Sequence, residues 1–208
     1  MPKLFHLSCS PRVDSESGAG ARVFLDRFSQ ARPDWDVDVM NLWKDYLPDF
    51  EGYILEAKYT RLGGRALTDS QRDAFAIAER IAVRLSLADR VLISTPMWNF
   101  GIPYKLKQWI DVITQPGVTF RFDPTQGYLP LLKDRPTVVI LASGSDFVTG
   151  MNRGRIDMAT PYLREMLRFI GINDVRFVPI GPTAGPIEPA RAARQNAHRR
   201  LAEIAANF

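Results

Sequence analysis

Two stretches of the sequence carry side chains that could do chemistry, and each directly follows an apolar run of the strand type. The first stretch, Ser8–Ala19, contains Ser10, Arg12, Ser15 and Ser17. Hydroxyl groups and free backbone N–H groups at the start of a helix can hold a phosphate, and the helix dipole favours its charge. A guanidinium can add a two-bond contact. The composition of this stretch therefore predicts a phosphate-binding loop.

A simpler interpretation of the same stretch stays open, because Ser15 or Ser17 alone would serve to cap a helix. Two carboxylates, Asp14 and Glu16, also oppose a phosphate unless they point away from it. The stretch has neither the Gly-Lys-[Ser/Thr] ending of a Walker A loop nor the Gly-x-Gly-x-x-Gly pattern of dinucleotide folds. A mononucleotide phosphate therefore fits better than a dinucleotide.

The second stretch is the turn formed by Pro96, Met97, Trp98, Asn99 and Phe100. Turns at the carboxyl ends of strands are where ligands bind in open α/β sheets. A short loop normally faces water, so two aromatic rings and a thioether indicate a flat, apolar ligand or a partner subunit. The alternative is an ordinary hydrophobic plug.

The elements that must position these stretches alternate between strand and helix. Strands are predicted at Lys3–Cys9, Trp35–Leu42, Arg90–Thr95, Pro136–Ala142 and Val175–Ile180. Helices are predicted at Ser17–Ala31, from the Thr68 capping box to about Ala88, at Pro103–Thr114, at Thr160–Ile170 and from near Pro189 onward. This alternation favours a parallel sheet covered on both faces.

We therefore expect an α/β flavodoxin-like three-layer sandwich with a five-stranded parallel sheet in the order 2-1-3-4-5 and helices on both faces. The ligand crevice of such a sheet lies between its first and third strands. Residues 1–208 are expected to form a single domain. The segment Pro48–Leu67 contains Gly63 and Gly64 and is predicted to be an irregular, mobile excursion.

Composition excludes several classes of function. The chain has 208 residues, a net charge of +4, and one cysteine, Cys9, which is expected to be a packed thiol in a cytoplasmic protein. Its basic residues are scattered, which argues against a nucleic-acid partner. No apolar run approaches the roughly 20 residues that span a bilayer, so no membrane partner is expected. His6 and His198 do not cluster with other ligands, so no metal site is expected.

Several motifs together resemble the FMN-dependent NAD(P)H azoreductase and quinone reductase family, which has the flavodoxin-like fold. They are Ser10…Ser15-x-Ser17, Pro96-Met-Trp-Asn-Phe100, Ile102-Pro-Tyr-Lys-Leu-Lys-Gln-Trp-Ile-Asp111, Gly117-Val-Thr-Phe-Arg-Phe122, Thr160-Pro-Tyr-Leu163 and Phe169-Ile-Gly-Ile172. They occur in the family's order along nearly the whole chain. The Pro-Met-Trp-Asn-Phe block with the downstream Gly-Val-Thr-Phe is the specific part of this resemblance.

The resemblance implies a non-covalently bound FMN. The residues implied around its phosphate are Ser10, Ser15, Glu16 and Ser17, and those implied around its ring are Met97, Trp98, Asn99 and Phe100. NADH or NADPH would reduce the flavin and leave, and a quinone or azo compound would then be reduced in the same slot by a ping-pong mechanism. Asn99 would orient the reactants, and the hydride chemistry would belong to the flavin.

The resemblance also implies a homodimer with the flavins at its interface. Phe122 and Tyr162 are then candidate walls of the substrate pocket. Trp109, Phe120 and Phe122 are expected to be exposed aromatic residues that suit an interface.

The family pattern is broken after the fourth predicted strand, at Ser143, Gly144, Ser145 and Asp146. Similar proteins carry an arginine in this loop, where a positive group would stabilise charge on the reduced ring. Backbone N–H groups of Gly144 and Ser145 are possible substitutes, and Arg153 and Arg155 are more distant candidates. A plain strand-ending turn is an equally good interpretation of Asp146.

Two other classes of function stay open as alternatives. The first is an electron-carrier flavoprotein that docks on protein partners, although such carriers tend to be acidic and this chain is basic. The second is a regulatory receiver module, which would need an acidic pair after the first strand, where this chain has Ser-Cys-Ser-Pro-Arg. Direct oxidation of NAD(P)H without a second protein would separate the enzyme from both.

Overall fold

A five-stranded parallel sheet forms the centre of the computed structural model, which describes residues 1–149 and 154–208. The strands of the chain are β1 (Lys3–Ser8), β2 (Asp36–Asn41), β3 (Arg90–Pro96), β4 (Phe120–Asp123), β5 (Gly127–Pro130), β6 (Thr137–Ala142) and β7 (Val175–Ile180). The parallel sheet has the order β2-β1-β3-β6-β7. Counted over the strands of this sheet alone, the order is the predicted 2-1-3-4-5, which is confirmed.

Helices cover both faces of the sheet, as predicted. They are α1 (Glu16–Ala31), α2 (Gly52–Leu62), α3 (Asp69–Ser86), α4 (Tyr104–Ile113), α5 (Ala159–Ile170) and α6 (Ile187–Asn207). One layer of buried apolar side chains joins the sheet to α3, α4 and α5, and the other joins it to α1 and α6. Alternate residues of one strand serve the two layers, with Leu4 in one and Phe5 in the other.

The ends of several helices follow from local chemistry that the sequence displays. The Thr68 hydroxyl accepts a hydrogen bond from the Gln71 N–H, and the Gln71 side chain accepts one from the Thr68 N–H, which completes the predicted capping box. Helix α5 ends at Gly171, whose φ of 110° is accessible to glycine and costly for other residues.

Strand register brings the loops that follow β1, β3 and β6 to one edge of the sheet. Ser8 of β1 pairs with Ser94 of β3, and Pro96 of β3 pairs with Ala142 of β6. The backbone N–H of Met97 then donates to the carbonyl of Ala142 at 2.7 Å. The loops predicted to carry chemistry are therefore neighbours in space.

The prediction that Pro48–Leu67 is irregular was wrong, because its centre forms helix α2. This helix packs against α3, with Ile54 and Ala57 buried. Its start at Gly52 has no side-chain cap, and Gly63, which suggested a loop, ends the helix. The usual signals of a helix boundary are absent at one end and ambiguous at the other.

Two of the three aromatic residues expected at a protein surface are instead in the core. Trp109 is 1% exposed and stacks on Phe5, with ring centroids 6.4 Å apart, and Phe120 is 3% exposed. Trp109 faces the sheet because it lies on the buried side of α4. Phe122 does lie at the surface, with 51% exposure.

The antiparallel hairpin of β4 and β5 was not predicted. Its turn is fixed by the Asp123 carboxylate, which accepts hydrogen bonds from the backbone N–H groups of Thr125 and Gln126. The strands have four residues each, the shortest length over which alternation indicates a strand, so the signal in the sequence is weak. No helix among the described residues is long and apolar enough to cross a membrane.

Candidate functional site

Three loops at the carboxyl edge of the sheet make up the candidate site. We name them the serine loop (residues 9–15, after β1), the aromatic turn (residues 97–101, after β3) and the β6 loop (residues 143–149). The serine loop and the aromatic turn follow adjacent strands whose connections run to opposite faces of the sheet. This is the position where open α/β sheets bind ligands.

The serine loop leads into helix α1 through a side-chain cap. The Ser15 hydroxyl accepts a hydrogen bond from the Gly18 N–H at 3.1 Å. A side chain at Gly18 would obstruct this cap, because its Cβ would lie 2.6 Å from Ser15 Oγ. On the other side of the loop, Ser10 Oγ accepts from the Arg12 N–H at 3.3 Å, while the Arg12 side chain is exposed. The capping interpretation of Ser15 is therefore correct, and it leaves the loop's other donors available.

Ser17 differs from Ser15 because its hydroxyl is buried and has no hydrogen-bond partner within the described part of the chain. The N–H groups of Glu16 and Ser17 lie in the first turn of α1, where a helix offers no internal acceptor. A buried polar group without a partner is costly. The start of α1 thus contains a buried, unsatisfied hydroxyl next to free amides, and this set of donors suits an anion.

The Glu16 carboxylate points away from this group of donors. It forms two hydrogen bonds with the guanidinium of Arg194 in α6, one of them 2.8 Å long between Nε and Oε2. These bonds lower the pKa of Glu16 and raise the pKa of Arg194. The charge of the Glu16 carboxylate, which would repel a phosphate, is therefore neutralised by Arg194 of α6.

The aromatic turn has a strained backbone. Trp98 and Gly101 exchange two backbone hydrogen bonds of 3.0 and 2.9 Å, which close a two-residue turn around Asn99 and Phe100. Both central residues have positive φ angles, 49° for Asn99 and 69° for Phe100. Asparagine tolerates this conformation, but a phenylalanine rarely adopts it. Strain of this kind concentrates at ligand sites and switches.

The β6 loop is held by its own side chains. The Asp146 carboxylate accepts hydrogen bonds from the N–H groups of Val148 and Thr149 and from the Thr149 hydroxyl, which lowers the pKa of Asp146. Ser143 Oγ donates to the Ser145 carbonyl at 2.8 Å. The carboxylate of Asp146 therefore organises the turn.

Of the two distant arginines, Arg153 lies outside the described residues. The guanidinium of Arg155 reaches the loop, with Nη1 3.4 Å from Ser145 Oγ. The backbone near Arg155 is also tied to the aromatic turn, because the Met158 N–H donates to the Phe100 carbonyl at 3.0 Å.

A cavity of about 700 Å³ opens beside the aromatic turn. We name it the aromatic cavity, since its walls include Phe50, Trp98, Tyr104, Met158 and Tyr162. Its polar lining residues are Asn99, Lys107, Gln108 and Asp111. Desolvation, with a smaller contribution from the charge of Asp111, raises the pKa of Tyr162 to about 12. The Tyr162 hydroxyl therefore stays protonated and can donate a hydrogen bond.

Phe122 and Tyr162 do not share a cavity within one chain. Phe122 lines a smaller space of about 210 Å³ with Arg61, Gly117 and Arg121. Its ring packs against Tyr128 in the hairpin, with ring centroids 5.2 Å apart. The structure therefore places only Tyr162 beside the aromatic turn.

Two aromatic residues at this site, Trp43 and Tyr104, were not among the predicted site residues. Trp43 follows β2 and contacts both Trp98 and Tyr104, with ring centroids 5.9 and 5.4 Å away. An isolated tryptophan after an edge strand gives no signal of this contact in sequence.

Comparison with known proteins places these features in a family. Residues 2–205 match a family described by its flavodoxin-like fold. The chain belongs to this flavodoxin-like family. One relative, FMN-dependent NADH:quinone oxidoreductase 1 of Bradyrhizobium diazoefficiens, is 75% identical over 208 residues, with 100% of both chains covered. FMN-dependent NADH:quinone oxidoreductase of Ruegeria pomeroyi is 40% identical, covering 88% of this chain and 90% of its own.

Solved structures of azoreductases superimpose on this chain over its whole length. An azoreductase from Bacillus anthracis strain Sterne superimposes with a TM-score of 0.89 at 25% identity, covering 100% of both chains. A Bacillus anthracis FMN-dependent NADH-azoreductase solved in complex with FMN gives a TM-score of 0.86 at 28% identity, covering 100% of this chain and 99% of its own.

Two buried side chains of this flavodoxin-like chain, those of Cys9 and His6, do not take part in the site. Cys9 is fully buried, and burial raises the pKa of its thiol, so it is the packed thiol that was predicted. Burial lowers the pKa of His6 to about 4, and this ring lies inside the sheet beside the Ser94 hydroxyl. Across residues 1–149 and 154–208, no group of histidine, cysteine and acidic side chains is arranged to hold a metal ion.

Proposed function

We propose that this chain is an FMN-dependent NADH:quinone oxidoreductase that also reduces azo compounds, working as one flavodoxin-like domain by a ping-pong mechanism. The observation that carries the proposal is the unsatisfied Ser17 hydroxyl at the start of α1, across the β1–β3 crevice from the left-handed Asn99–Phe100 turn. The first suits a phosphate, and the second presents backbone and aromatic groups to a flat ring. Together they suit FMN.

The serine loop and the first turn of α1 are proposed to hold the phosphate, through Ser10, Arg12 and Ser15 of the loop and Glu16 and Ser17 of the helix. Because Ser15 Oγ already caps α1 and the Glu16 carboxylate pairs with Arg194, these two residues contribute backbone N–H groups. Ser17 contributes its hydroxyl.

The aromatic turn and the β6 loop are proposed to hold the ring. The end of β3 contributes Pro96, the turn contributes Met97, Trp98, Asn99 and Phe100, and the loop contributes Ser143, Gly144, Ser145 and Asp146. When bound, FMN supplies the site at which a hydride is accepted from NADH and passed on to the acceptor. The chain's part is to orient the reactants, with Asn99 at the rim of the aromatic cavity, and to exclude water.

The aromatic cavity is the proposed site of both substrates. Its aromatic walls suit a nicotinamide and a quinone or azo compound equally, since both are flat. Tyr162 stays protonated near neutral pH and is placed to donate a hydrogen bond to an acceptor oxygen or nitrogen. Since one slot serves both substrates, NADH must deliver its hydride and its product must leave before the acceptor enters.

A homodimer with the flavins at its interface is also part of the proposal. Phe122 is half exposed and lies outside the aromatic cavity of its own chain. A second copy is therefore what would make Phe122 a wall of the substrate pocket, as the family resemblance implies. We further infer a cytoplasmic location, where the single thiol stays reduced.

The purified protein should be yellow, and its visible flavin absorption should bleach with NADH without oxygen and return when a quinone is added. A colourless protein that does not bind added FMN would overturn the proposal. The same assay separates the enzyme from an electron carrier, since a carrier would not oxidise NADH rapidly without a second protein. The basic net charge of +4 already argues against a carrier.

A further inference from the structure

Trp43 is the one side chain that we find joined to both halves of the proposed FMN site within the described residues. Its indole Nε1–H donates to the carbonyl of Cys9, the first residue of the serine loop, at 3.0 Å. Its ring contacts Trp98 of the aromatic turn at a centroid distance of 5.9 Å and a tilt of 55°. The serine loop is therefore hydrogen-bonded to Trp43, and the aromatic turn packs against its ring.

The position of Trp43 is itself fixed from two directions. Its backbone N–H donates to Asn41 Oδ1 at 2.9 Å, at the end of β2. Tyr104, at the start of α4, meets the Trp43 ring edge-on at 5.4 Å and 81°. Because these contacts leave the Trp43 side chain little rotational freedom, it can hold the serine loop and the aromatic turn at a fixed distance from each other.

The serine loop depends on this contact. Cys9 is fully buried, and its N–H donates to the Ser94 carbonyl of β3 at 2.9 Å. Its carbonyl accepts the Trp43 indole N–H. Without that donor, a buried carbonyl would lose its partner and the backbone leading to Ser10 would be free to shift.

We propose that Trp43 is a positioning residue that sets the spacing between the serine loop and the aromatic turn, so that phosphate and ring bind together. The inference rests on the proposed FMN function. It distinguishes ligands that occupy both halves of the site from ligands that occupy one. FMN spans both halves, whereas riboflavin, which lacks the phosphate, needs only the aromatic turn.

The test is titration of the flavin-free protein with FMN and with riboflavin, for Trp43→Phe and the wild type. Trp43→Phe keeps a ring but removes the N–H. Its FMN affinity should fall about tenfold, the size of one lost hydrogen bond, and its riboflavin affinity should change less than about threefold.

Trp35→Phe is the matched control. Trp35 lies just before β2, whereas Trp43 lies just after it, so the two tryptophans are at opposite ends of the same strand. Its ring packs on Phe28 at 5.4 Å, far from the serine loop. It should leave both affinities unchanged. Tyr104→Leu is a second test variant, at an exposed residue whose ring contacts Trp43. Because it weakens the support of Trp43, it should lower the ratio of FMN affinity to riboflavin affinity, as Trp43→Phe does.

An equal fall in both affinities for Trp43→Phe would overturn the proposal, because it would mean ring contact or general destabilisation. Unchanged affinities would also overturn it. A wild-type protein that binds neither flavin would instead overturn the proposed function on which the inference depends.

Discussion

The carboxylate of Glu16 and the guanidinium of Arg194 form a two-bond ion pair that joins the start of α1 to α6. The pair turns a negative charge away from the serine loop. It thereby lets an acidic residue occupy the first turn of a helix that is proposed to bind an anion.

Replacing Arg194 with glutamine should release the Glu16 carboxylate and weaken FMN binding by up to about fivefold, the range of partly exposed ion pairs. Riboflavin affinity should not change, since riboflavin carries no phosphate. Adding Glu16→Gln to this variant should restore FMN affinity. Arg199→Gln, on the same helix, is the control, because Arg199 bonds only to its neighbour Asn196 in the described structure. A double variant that still binds weakly would contradict this account.

Ser17→Ala should separate stability from binding. The Ser17 hydroxyl is buried and unpartnered among the described residues, so its removal should leave the free energy of unfolding unchanged or slightly raised. FMN affinity should fall about tenfold or more, because a hydrogen bond to a charged group is lost. Titration and urea unfolding measure the two effects, and Ser29→Ala, on the exposed face of α1, is the control. Unchanged FMN affinity would remove Ser17 from the phosphate site.

Much of this architecture could be predicted from local sequence. The buried strands are short and apolar. Helix α3 begins at a capping box and α5 ends at a glycine, and both signals can be recognised in the sequence. Helix α2 could not be predicted in this way, because it lacks a side-chain cap and two glycines follow it. Its stability comes from packing on α3, which is a tertiary effect that propensity does not encode.

The residues of the site also fall into two groups, those that local sequence indicates and those that depend on tertiary packing. The serine-rich stretch that contains Ser17 and the aromatic turn could be proposed as candidates from the sequence, because each follows a predicted strand and carries residues unusual for a loop. Trp43 could not be, since its contact with Cys9 depends on how β2 packs beside β1. The separation of Phe122 from Tyr162 depends on the β4–β5 hairpin, which the sequence pattern did not indicate.

The left-handed backbone of Phe100 gives a prediction about strain. Phe100→Gly should be more stable than Phe100→Ala by about 1 kcal/mol, because glycine relieves the cost of a positive φ while both variants lose the ring. Both variants should bind NADH and quinone more weakly, with a raised KM, if the ring contributes to the site. Thermal unfolding and steady-state kinetics measure the two properties. Equal stability of the two variants would show that the turn is unstrained.

Arg135 is a buried cation whose role is structural. It is 6% exposed, and its Nη1 donates to the carbonyls of Leu85, Ser86 and Ala88 at 2.5, 3.1 and 2.8 Å at the end of α3. Burial lowers the pKa of this guanidinium, but it stays charged and complements the helix dipole.

Arg135→Met should lower the free energy of unfolding by about 3 kcal/mol, since several carbonyls lose their donor. Arg135→Lys should lie between this variant and the wild type, because it keeps the charge but has fewer donors. Lys133→Met, at an exposed neighbouring position, should have little effect. Flavin affinity of the folded protein should be unaffected in all three. A wild-type stability for Arg135→Met would contradict the assignment.

His6 gives a prediction about pH. Burial lowers its pKa from 6.5 to about 4, and its Nε2 lies 2.9 Å from Ser94 Oγ. The unfolded chain therefore binds a proton at this residue before the folded protein does. The resulting contribution to stability is fully present above pH 6.5 and is lost as the pH falls toward 4.

When the pH is lowered from 7.5 to 5, protonation linked to His6 should reduce the free energy of unfolding of the wild type by about 2 kcal/mol. His6→Gln keeps a polar side chain that can reach Ser94 but does not titrate in this range. Urea unfolding of both proteins at the two pH values isolates the effect, because the other titrating groups are common to both. The wild type should lose more stability than the variant by about this amount. A parallel loss in the two proteins would mean that His6 is protonated in the folded state at pH 5.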